Sequence, residues 1–375
     1  MKKYLGWLIP LAFFDLLFLP RLIGFYGIPL SSLVILFFAI ISNTKLESKI
    51  HYFIMFTAIL IISVLAGTFA SHKSDIVANT ARAMQLSYIV FVYGLALVYS
   101  RPNLNLIRVV LRLYSVYLLA ILWLFLLERE LYLIFTSIVY PESLEQLEFN
   151  SLFSRLSLYF TDPNTMGYLV LLCFAMLISL GDKKKWLYFN SVVFISTILV
   201  TQSRGAILGV ILLALMMLFN ARISASNKIR AITFAVTVPG ILFFSFPEVI
   251  LEALEVFFFR FEGEEDFGNG RLGKYKYMLQ QLNVLPIGFG YEIYKDGEYF
   301  RPHSDFIRFI MSYGYLALIL FLSIFRLKSK KQYIFLTAGL VPFFVNTLID
   351  DWRLFSFFVV GYFMLGKVRS RADVY

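Results

Sequence analysis

The feature that most constrains this chain is a series of apolar runs of roughly membrane-spanning length, separated by short polar, basic or Pro/Gly-bearing joints. In the hydrocarbon of a bilayer the backbone N–H and C=O groups must be satisfied internally, which an α-helix achieves within one segment. A β-barrel would instead show alternating segments of about ten residues. The mean hydropathy of +0.76 and the 59% of hydrophobic residues also exclude an ordinary soluble domain.

The runs predict an all-α polytopic membrane protein with about twelve transmembrane helices, in a single integral membrane domain over residues 1–375. Two stretches are predicted not to span the membrane: residues 128–162, and the longer, charged and Gly-rich loop at 248–302. This large loop separates the ninth and tenth spans. The predicted spans are residues 4–19, 22–42, 50–70, 83–99, 105–127, 163–180, 186–202, 204–220, 229–247, 303–325, 332–349 and 353–366.

Lys and Arg are distributed unequally between the two ends of these spans. With Lys2 and Lys3 placed in the cytoplasm, 20 of the 34 cations fall in cytoplasmic joints, and the short outer joints are poor in cations. We therefore expect both termini to be cytoplasmic and both long loops to lie outside. The net charge of +10 fits this orientation and contact with anionic membrane lipids. No continuous basic stripe indicates nucleic-acid binding.

Metal and redox chemistry have little basis in the sequence. The single cysteine, Cys173, lies within an apolar run and is expected to be a small core residue. Cys and His residues form no closed metal site, and no Asp-x-Asp motif is present. We therefore expect neither a metal nor a cofactor. Residues 1–19 show no cleavage site for a signal peptide, so the first span is expected to remain in the mature protein.

Arg204 is the only charged residue in the tight outer joint at residues 201–206. An arginine on the cation-poor side of a membrane protein calls for an explanation, because it costs free energy unless it is paired or solvated. Its guanidinium could bind an anionic lipid headgroup in a bidentate manner. The alternative is an arginine that only extends its charge to the membrane surface.

A second cluster lies in the large loop, where Gly268, Gly270 and Gly273 surround Arg271 and precede two lysines. Glycine permits close approach of the backbone to a ligand, and the cations suit a phosphate. The spacing fits neither a Walker loop nor a dinucleotide fingerprint, and a flexible loop with ordinary turn glycines is the alternative. Tyr291, further along the loop, could stack on a sugar.

A third cluster, formed by Arg301, His303, Asp305 and Arg308, opens the span after the large loop. On a helix that starts near Pro302, His303 and Arg308 lie within the first two turns, and Asp305 lies near the positive end of the helix dipole. A histidine there could accept a proton from a sugar hydroxyl, since its ordinary pKa is near neutrality. A structural histidine at the membrane interface is the alternative.

The fourth place is the start of the sixth predicted span, where Asp162 and Pro163 precede Asn164. Asp162 can cap a helix that has Pro163 in its first turn. Helix capping is therefore the simpler interpretation of Asp162, and substrate binding by Asp162 or Asn164 is the functional one.

Together these motifs resemble the bacterial O-antigen polymerase and O-antigen ligase superfamily of integral membrane glycosyltransferases. The resemblance covers roughly the second half of the chain. The matching pieces, in family order, are Asp162-Pro163-Asn164 with Gly167, Ser203-Arg204-Gly205-Ala206 with Gly209, Gly270-Arg271, Pro286 with Gly288 and Gly290, and His303-Ser304 with Gly314.

The resemblance implies a GT-C-like, metal-independent membrane enzyme that uses an undecaprenyl-diphosphate-linked glycan as donor, at the periplasmic face of the inner membrane of a Gram-negative cell. The loop at 248–302 would cap the site. By position, Arg204 and Arg271 would bind the diphosphate, with Arg301 and Arg308 as secondary candidates. His303 would assist the attack of an acceptor hydroxyl, and Asp305 would either orient His303 or act as the base.

Within this superfamily the sequence favours the polymerase. Ligases commonly continue beyond the His-Ser segment with a second glycine and threonines, whereas Gly314 is followed here by Tyr-Leu-Ala-Leu. A chain-length regulator protein is a further candidate partner. The alternative from another class is a flippase for lipid-linked oligosaccharides. A flippase should carry charges along a central cavity, whereas these polar clusters collect on the outer side, with Asp15 as the main exception.

Overall fold

The structure is a computed structural model, and nearly every element in its described residues is an α-helix. It describes residues 2–19, 29–41, 50–69, 76–99, 102–139, 155–158, 160, 162–219, 233, 285–288, 294–295, 298–299, 304–325, 329–346, 348–349 and 351–367.

The helices are α1 Lys2–Phe18, α2 Leu30–Ile41, α3 Ile50–Phe69, α4 Ile76–Tyr99, α5 Leu104–Leu127, α6 Arg129–Val139, α7 Pro163–Leu180, α8 Lys184–Thr201, α9 Arg204–Phe219, α10 Asp305–Ile324, α11 Lys330–Val345 and α12 Trp352–Leu365. Two short strands, β1 (Tyr294–Lys295) and β2 (Glu298–Tyr299), form an antiparallel pair.

Eleven of the twelve predicted spans coincide with helices of the structure, which confirms the all-α prediction for this described part of the chain. The ninth, at 229–247, lies outside the described residues except for Thr233. Within the described part, α5, α7 and α10 are long and apolar enough to cross a membrane, and five further apolar helices are shorter. The number of membrane crossings therefore stays a prediction, as does the single-domain assignment.

Two helices begin at positions that hydropathy missed. The predicted fourth span begins at residue 83, but α4 begins at Ile76 and includes the polar residues Asn79 and Arg82. Arg82 donates hydrogen bonds to the side chain of Gln85 and to the carbonyl of Ile349, so this polar first part is held by partners. Conversely, α2 begins only after Pro29, at Leu30, well after the predicted start at residue 22.

The chain divides into two compact units. Unit 1 comprises Met1–Asn103, Asn269–Gln332 and Phe343–Tyr375, and unit 2 comprises Leu104–Gly268 and Tyr333–Pro342. In unit 1, α3 packs on α4 and α10, while α4 also contacts α1, α2 and α12. In unit 2, α7 packs on α5, α8 and α9, and nearly all of its residues are buried.

Buried polar contacts fix helix ends within each unit. In unit 1 the carboxylate of Asp15, near the end of α1, accepts a hydrogen bond of 2.7 Å from the backbone N–H of Ser31, at the start of α2. In unit 2 Arg112 of α5 pairs with Asp182, which lies between α7 and α8. Burial of Asp182 opposes its charged form and is the largest single effect. The hydrogen bonds from Arg112 and from the backbone N–H of Lys183, together with the charges of Arg112 and Arg108, outweigh it and lower the pKa of Asp182.

Candidate functional site

In unit 2, α8 and α9 meet in a joint of two residues, Gln202 and Ser203, before Arg204 begins α9. Gln202 adopts the left-handed αL conformation with φ 51°, which ends α8 and turns the chain sharply. Ser203 is fully buried, and its Oγ accepts a bond of 3.4 Å from the N–H of Ala206. Arg204 therefore sits partly exposed at the first position of a helix whose start is fixed by its neighbours.

The glycines of this region serve close packing of helices. A Cβ on Gly167 of α7 would lie 2.8 Å from Cβ of Ser203 and 2.9 Å from Oγ1 of Thr201. A Cβ on Gly205 would overlap the hydroxyl of Tyr168, which also belongs to α7. Gly167 and Gly205 thus let α7 approach the joint that carries Arg204, and the motif glycines have a structural explanation in unit 2.

Asp162 is the N-cap of α7, as the capping interpretation predicts. Its Oδ1 accepts hydrogen bonds from the backbone N–H of Asn164 at 2.9 Å and from the side-chain amide of Asn164 at 2.7 Å. Pro163 occupies the first turn. Asn164 is partly exposed, and its amide oxygen accepts a further bond from Arg155. A role for Asp162 or Asn164 in binding a substrate stays a prediction.

Arg155 is a cation in unit 2 that sequence reasoning did not single out. Its Nε donates to the carbonyl of Thr201 and its Nη2 to Oδ1 of Asn164, both at 3.3 Å. The next residue, Leu156, donates its N–H to the carbonyl of Val200 at 3.2 Å. One guanidinium therefore ties the start of α7 to the end of α8, three residues before Arg204. The sequence signal that could have identified Arg155 is its position in a predicted outer loop, on the side of the protein where cations are scarce.

In unit 1, α10 begins at Asp305 and not near Pro302 as expected from the sequence. Ser304 is the N-cap, and its side chain accepts a bond of 3.5 Å from the N–H of Ile307. Asp305 is the first helical residue, so its position beside the positive end of the helix dipole is confirmed. It is 1% exposed.

The Asp305 carboxylate holds the segment between α11 and α12. Its Oδ2 accepts hydrogen bonds from the backbone N–H of Leu348 and from that of Ile349, the latter at 2.6 Å. The backbone N–H of Asp305 in turn donates to the carbonyl of Asn346 at 3.0 Å. One oxygen of this carboxylate therefore holds the backbone of the segment between α11 and α12 in place, which is a structural role independent of any substrate.

Among the described residues, the other carboxylate oxygen of Asp305 is buried without a hydrogen-bond partner, and so is the side-chain Nδ2 of Asn346. The first atom is an acceptor and the second a donor. Arg308, buried one turn further along α10, and Arg82 of α4 both attract the Asp305 carboxylate electrostatically. This end of unit 1 thus collects an acid, two guanidinium groups and an amide. Asn346, at the outer end of a predicted span, was not singled out from the sequence.

A break in α10 lies in the same unit. Gly314 has φ 80° and ψ 172° inside the helix, a conformation that is essentially restricted to glycine. The N–H groups of Tyr315 and Leu316 donate to the carbonyls of Leu285 and Pro286, at 3.1 and 3.3 Å. The segment 285–288 therefore replaces the hydrogen-bond partners that the helix loses at its break.

Gly288 belongs to the same contact between residues 285–288 and the broken part of α10, which we call the interlock. A Cβ on Gly288 would meet the backbone of Ser312 and lie 2.5 Å from the nitrogen of Tyr313. A Cβ on Gly314 would lie 2.5 Å from the carbonyl oxygen of Pro286. The two glycines therefore allow backbone to meet backbone, which explains why Pro286, Gly288 and Gly314 stand out in the sequence.

The structure leaves several predicted site residues untested. Arg271, Tyr291, Arg301 and His303 lie outside the described residues. Arg204, Asp162 and Asn164 belong to unit 2, and Asp305 and Arg308 to unit 1. Among the residues described, no group of three or more His, Cys, Asp or Glu side chains could hold a metal ion.

Comparison with known protein families gives a match to the family described as O-antigen ligase, over residues 189–322. This part of the chain is therefore similar to the family, which supports the O-antigen polymerase and ligase superfamily. The matched range starts within α8, includes the Arg204 joint and ends in α10 beyond Gly314. The predicted resemblance is confirmed, and the family is one of glycosyltransferase-like membrane enzymes. No curated protein and no solved structure matches the chain significantly.

Proposed function

We propose that this protein is a polymerase that joins undecaprenyl-diphosphate-linked repeat units at the periplasmic face of the bacterial inner membrane. The observation that carries this proposal is the family match over residues 189–322, because it contains four of the five motifs on which the resemblance rests. The match speaks for the superfamily as a whole. The preference for a polymerase rests on the sequence after Gly314, which lacks the second glycine and the threonines common in ligases.

In the proposed topology the chain crosses the membrane about twelve times, with both termini in the cytoplasm and the loop at 248–302 in the periplasm. Contacts within unit 1 support the alternation of helix directions. The C-terminal end of α1 meets the N-terminal end of α2 through Asp15 and Ser31, and the N-terminal end of α12 through Leu19 and Arg353. The start of α4 meets the segment after α11 through Arg82.

For the donor we propose that Arg204, Arg271, Arg301 and Arg308 neutralise the diphosphate. When the bond between the anomeric carbon and the diphosphate oxygen breaks, the lipid diphosphate leaves as an anion, and fixed guanidinium groups stabilise the developing charge. These side chains would replace the metal ion that many glycosyltransferases use with soluble donors. Arg204 is suited to this role because it opens a helix whose first turn is bonded to Ser203, while its own side chain is partly exposed.

For the acceptor we propose that His303 takes the proton from the attacking hydroxyl and that Asp305 is a positioning residue. The backbone tie to Asn346 and the two amide bonds to Oδ2 support this division, since they commit Asp305 to fixing backbone. Oδ1 of Asp305 and Nδ2 of Asn346, which have no hydrogen-bond partner within the described part of the chain, suit a hydroxyl, which can donate to one and accept from the other.

Two alternatives compete with the polymerase. A ligase would transfer the glycan to lipid A core and would contain the same motifs. A flippase would move the lipid-linked glycan across the membrane without chemistry. The buried acid Asp15 in α1 is the feature that favours a transporter, but its carboxylate is bound to the N–H of Ser31 between two helix ends.

The test incubates the purified protein in lipid vesicles with lipid-linked repeat units and resolves the glycans on a gel. A ladder of products supports the polymerase, and its loss in folded Arg271→Ala and His303→Ala variants supports their roles. A normal ladder from folded Arg271→Ala would rule out the diphosphate role of Arg271. Transfer only in the presence of lipid A core would establish the ligase, and movement of unchanged substrate across the vesicle would establish the flippase.

A further inference from the structure

The helix α6 is a candidate surface for contact with the membrane, and it is independent of the polymerase assignment. It has 11 residues and is therefore about 16 Å long, well short of the roughly 30 Å hydrocarbon core. It follows α5 almost without interruption, since the N–H of Glu128 donates to the carbonyl of Leu124 and that of Tyr132 to the carbonyl of Glu128. The chain thus leaves a candidate span and continues in a helix that cannot cross.

One face of α6 is packed against unit 2. Tyr132 and Thr136, four residues apart, are fully buried. The ring of Tyr132 makes an edge-to-face contact with Phe125 of α5, with 5.1 Å between centroids. The hydroxyl of Tyr132 accepts a hydrogen bond of 3.2 Å from the N–H of Leu158. This face holds the helix in place and leaves the opposite face turned away from the unit.

The face turned away is apolar and exposed. Leu131, Ile134 and Ile138 are 49%, 55% and 75% exposed. Their spacing of three and four residues puts them in one stripe along the helix. No charged residue occurs from Leu131 to Val139, and the charges of this region, on Glu128, Arg129 and Glu130, all lie at the start of the helix. In water such a stripe would cost free energy in proportion to its apolar area.

The same kind of surface runs along the preceding span. Exposed apolar side chains occur on α5 at Leu113, Val116, Trp123 and Leu127, and they resume on α6 at Leu131. The helix α5 is apolar and long enough to cross a membrane, so its exposed side chains are suited to lipid. Trp123, near the outer end of α5, is of the residue type that concentrates at the membrane–water interface. The exposed stripe of α6 continues this lipid-facing surface.

We propose that α6 lies flat in the membrane–water interface on the outer side of the same membrane that α5 crosses. Leu131, Ile134 and Ile138 are inserted among the parts of the acyl chains nearest the headgroups. The exposed stripe of α6 is therefore covered by lipid of the outer leaflet of this membrane. Through the bond between Tyr132 and Leu158, this helix fixes the height of the segment that begins at Arg155. Arg155 binds the carbonyl of Thr201 beside the Arg204 joint, so this part of unit 2 is held at the level of lipid phosphates.

The test attaches an environment-sensitive fluorophore to Ile138→Cys in the full-length protein, reconstituted in phosphatidylcholine–phosphatidylglycerol vesicles. Cys173 is fully buried, so the unaltered chain serves as the control for background labelling. Quenching is measured with nitroxide lipids labelled near the headgroup or deep in the chain, and with aqueous iodide. We expect strong quenching by the shallow lipid probe, weaker quenching by the deep one, and little by iodide.

Two matched sites calibrate this measurement. Val116→Cys, in the middle of α5, should be quenched most by the deep probe, and Ser137→Cys, beside the stripe on α6, should respond more to iodide than Ile138→Cys does. Strong iodide quenching without lipid quenching at Ile138 would overturn the proposal. Protection from both quenchers would also overturn it, and would point to a protein partner or a second copy of the chain on this face.

If Ile138→Cys does not fold, Ile134→Cys and Leu131→Cys provide the same readout on the same stripe. If the unaltered protein proved to have no polymerase activity, the proposal for α6 would still stand, because the quenching pattern reports membrane depth and not catalysis.

Discussion

The Arg204 joint of unit 2 and the broken helix of unit 1 both contain glycine motifs, but the glycines serve different purposes in the two regions. In unit 2, Gly167 and Gly205 bring α7 close to the start of α9, and the obstacles to a larger residue are side chains. In unit 1, Gly288 and Gly314 bring one backbone against another inside an interrupted helix. The first region is regular helix packing, and the second is irregular backbone that must be enclosed by protein.

A short glycine motif in a membrane protein therefore does not by itself reveal its task. The Tyr168 side chain that obstructs Gly205 can rotate to make room, whereas backbone groups bonded to each other cannot move separately. Unit 1 should therefore tolerate substitution at its glycines less than unit 2 does.

The largest effect is expected for Gly314→Ala. The added Cβ would meet the backbone of Pro286 and Ile287, and the residue would have to keep φ 80°, so we expect a loss of about 3 kcal/mol or more in unfolding free energy. The measurement is thermal unfolding of the detergent-solubilised protein. Gly181→Ala is the matched control, because Gly181 also has positive φ but no atom of the described residues lies within 4 Å of its Cβ position. Equal losses of unfolding free energy in Gly314→Ala and Gly181→Ala would show that contact with residues 285–288 does not add to the cost of the substitution.

Asp305 gives the next largest effect, and its variants separate positioning from catalysis. Asp305→Asn keeps one oxygen for the N–H groups of Leu348 and Ile349, so we expect folded protein with transfer reduced about 10-fold, or about 1.4 kcal/mol. Asp305→Ala leaves both buried N–H groups unpaired and should lose about 2–6 kcal/mol of stability. Initial rates and thermal unfolding are measured together. A well-folded Asp305→Asn protein with no detectable transfer would identify Asp305 as the base.

Gly205→Ala probes the packing of unit 2. The new methyl group would overlap the hydroxyl of Tyr168, and we expect a loss of about 1–3 kcal/mol in unfolding free energy. Tyr168→Phe removes the nearest overlapping atom, so the double variant should recover part of this loss relative to the sum of the single variants. Strict additivity in a double-mutant cycle would mean that the two residues do not interact as the structure describes.

The smallest effect is expected for Arg155. Arg155→Ala removes the tie between Asn164 and the Thr201 carbonyl, and we expect the KM for the lipid-linked donor to rise about 5–10-fold, equivalent to about 1–1.4 kcal/mol. Arg155→Lys should restore little, since one ammonium cannot reproduce two bonds made through Nε and Nη2. An unchanged KM, with only lower thermal stability, would reduce Arg155 to a structural residue.

Much of the fold was predictable because membrane helices are apparent from hydropathy. The bounds of α5 and α7 differ by at most one residue from the prediction, and the Asp162-Pro163 signal correctly marked the start of α7. The start of α4 was wrong because Arg82 is stabilised by a partner distant in sequence, which a local hydropathy average does not contain.

The rest needed three-dimensional information. The break at Gly314 depends on carbonyls of Leu285 and Pro286, almost thirty residues earlier in the chain. The β1–β2 pair was missed, although the Asp-Gly dipeptide at residues 296–297 is a strong hairpin signal. Of the candidate site, the motif positions were recognisable by resemblance, whereas the ties made by Arg155 and Asn346 follow no local pattern.

The break in α10 also bears on how the protein is made. The residues after Gly314 form a helix of about 15 Å, too short to span a bilayer alone, and its first amides need the carbonyls of residues 285–286. During biogenesis an unbroken α10 has the lower free energy until residues 285–286 pack against it, because an unpaired amide in lipid costs several kcal/mol. Insertion of α10 should thus precede its breaking, which makes the mature form a late product of biogenesis, reached only after the preceding loop has returned to the membrane.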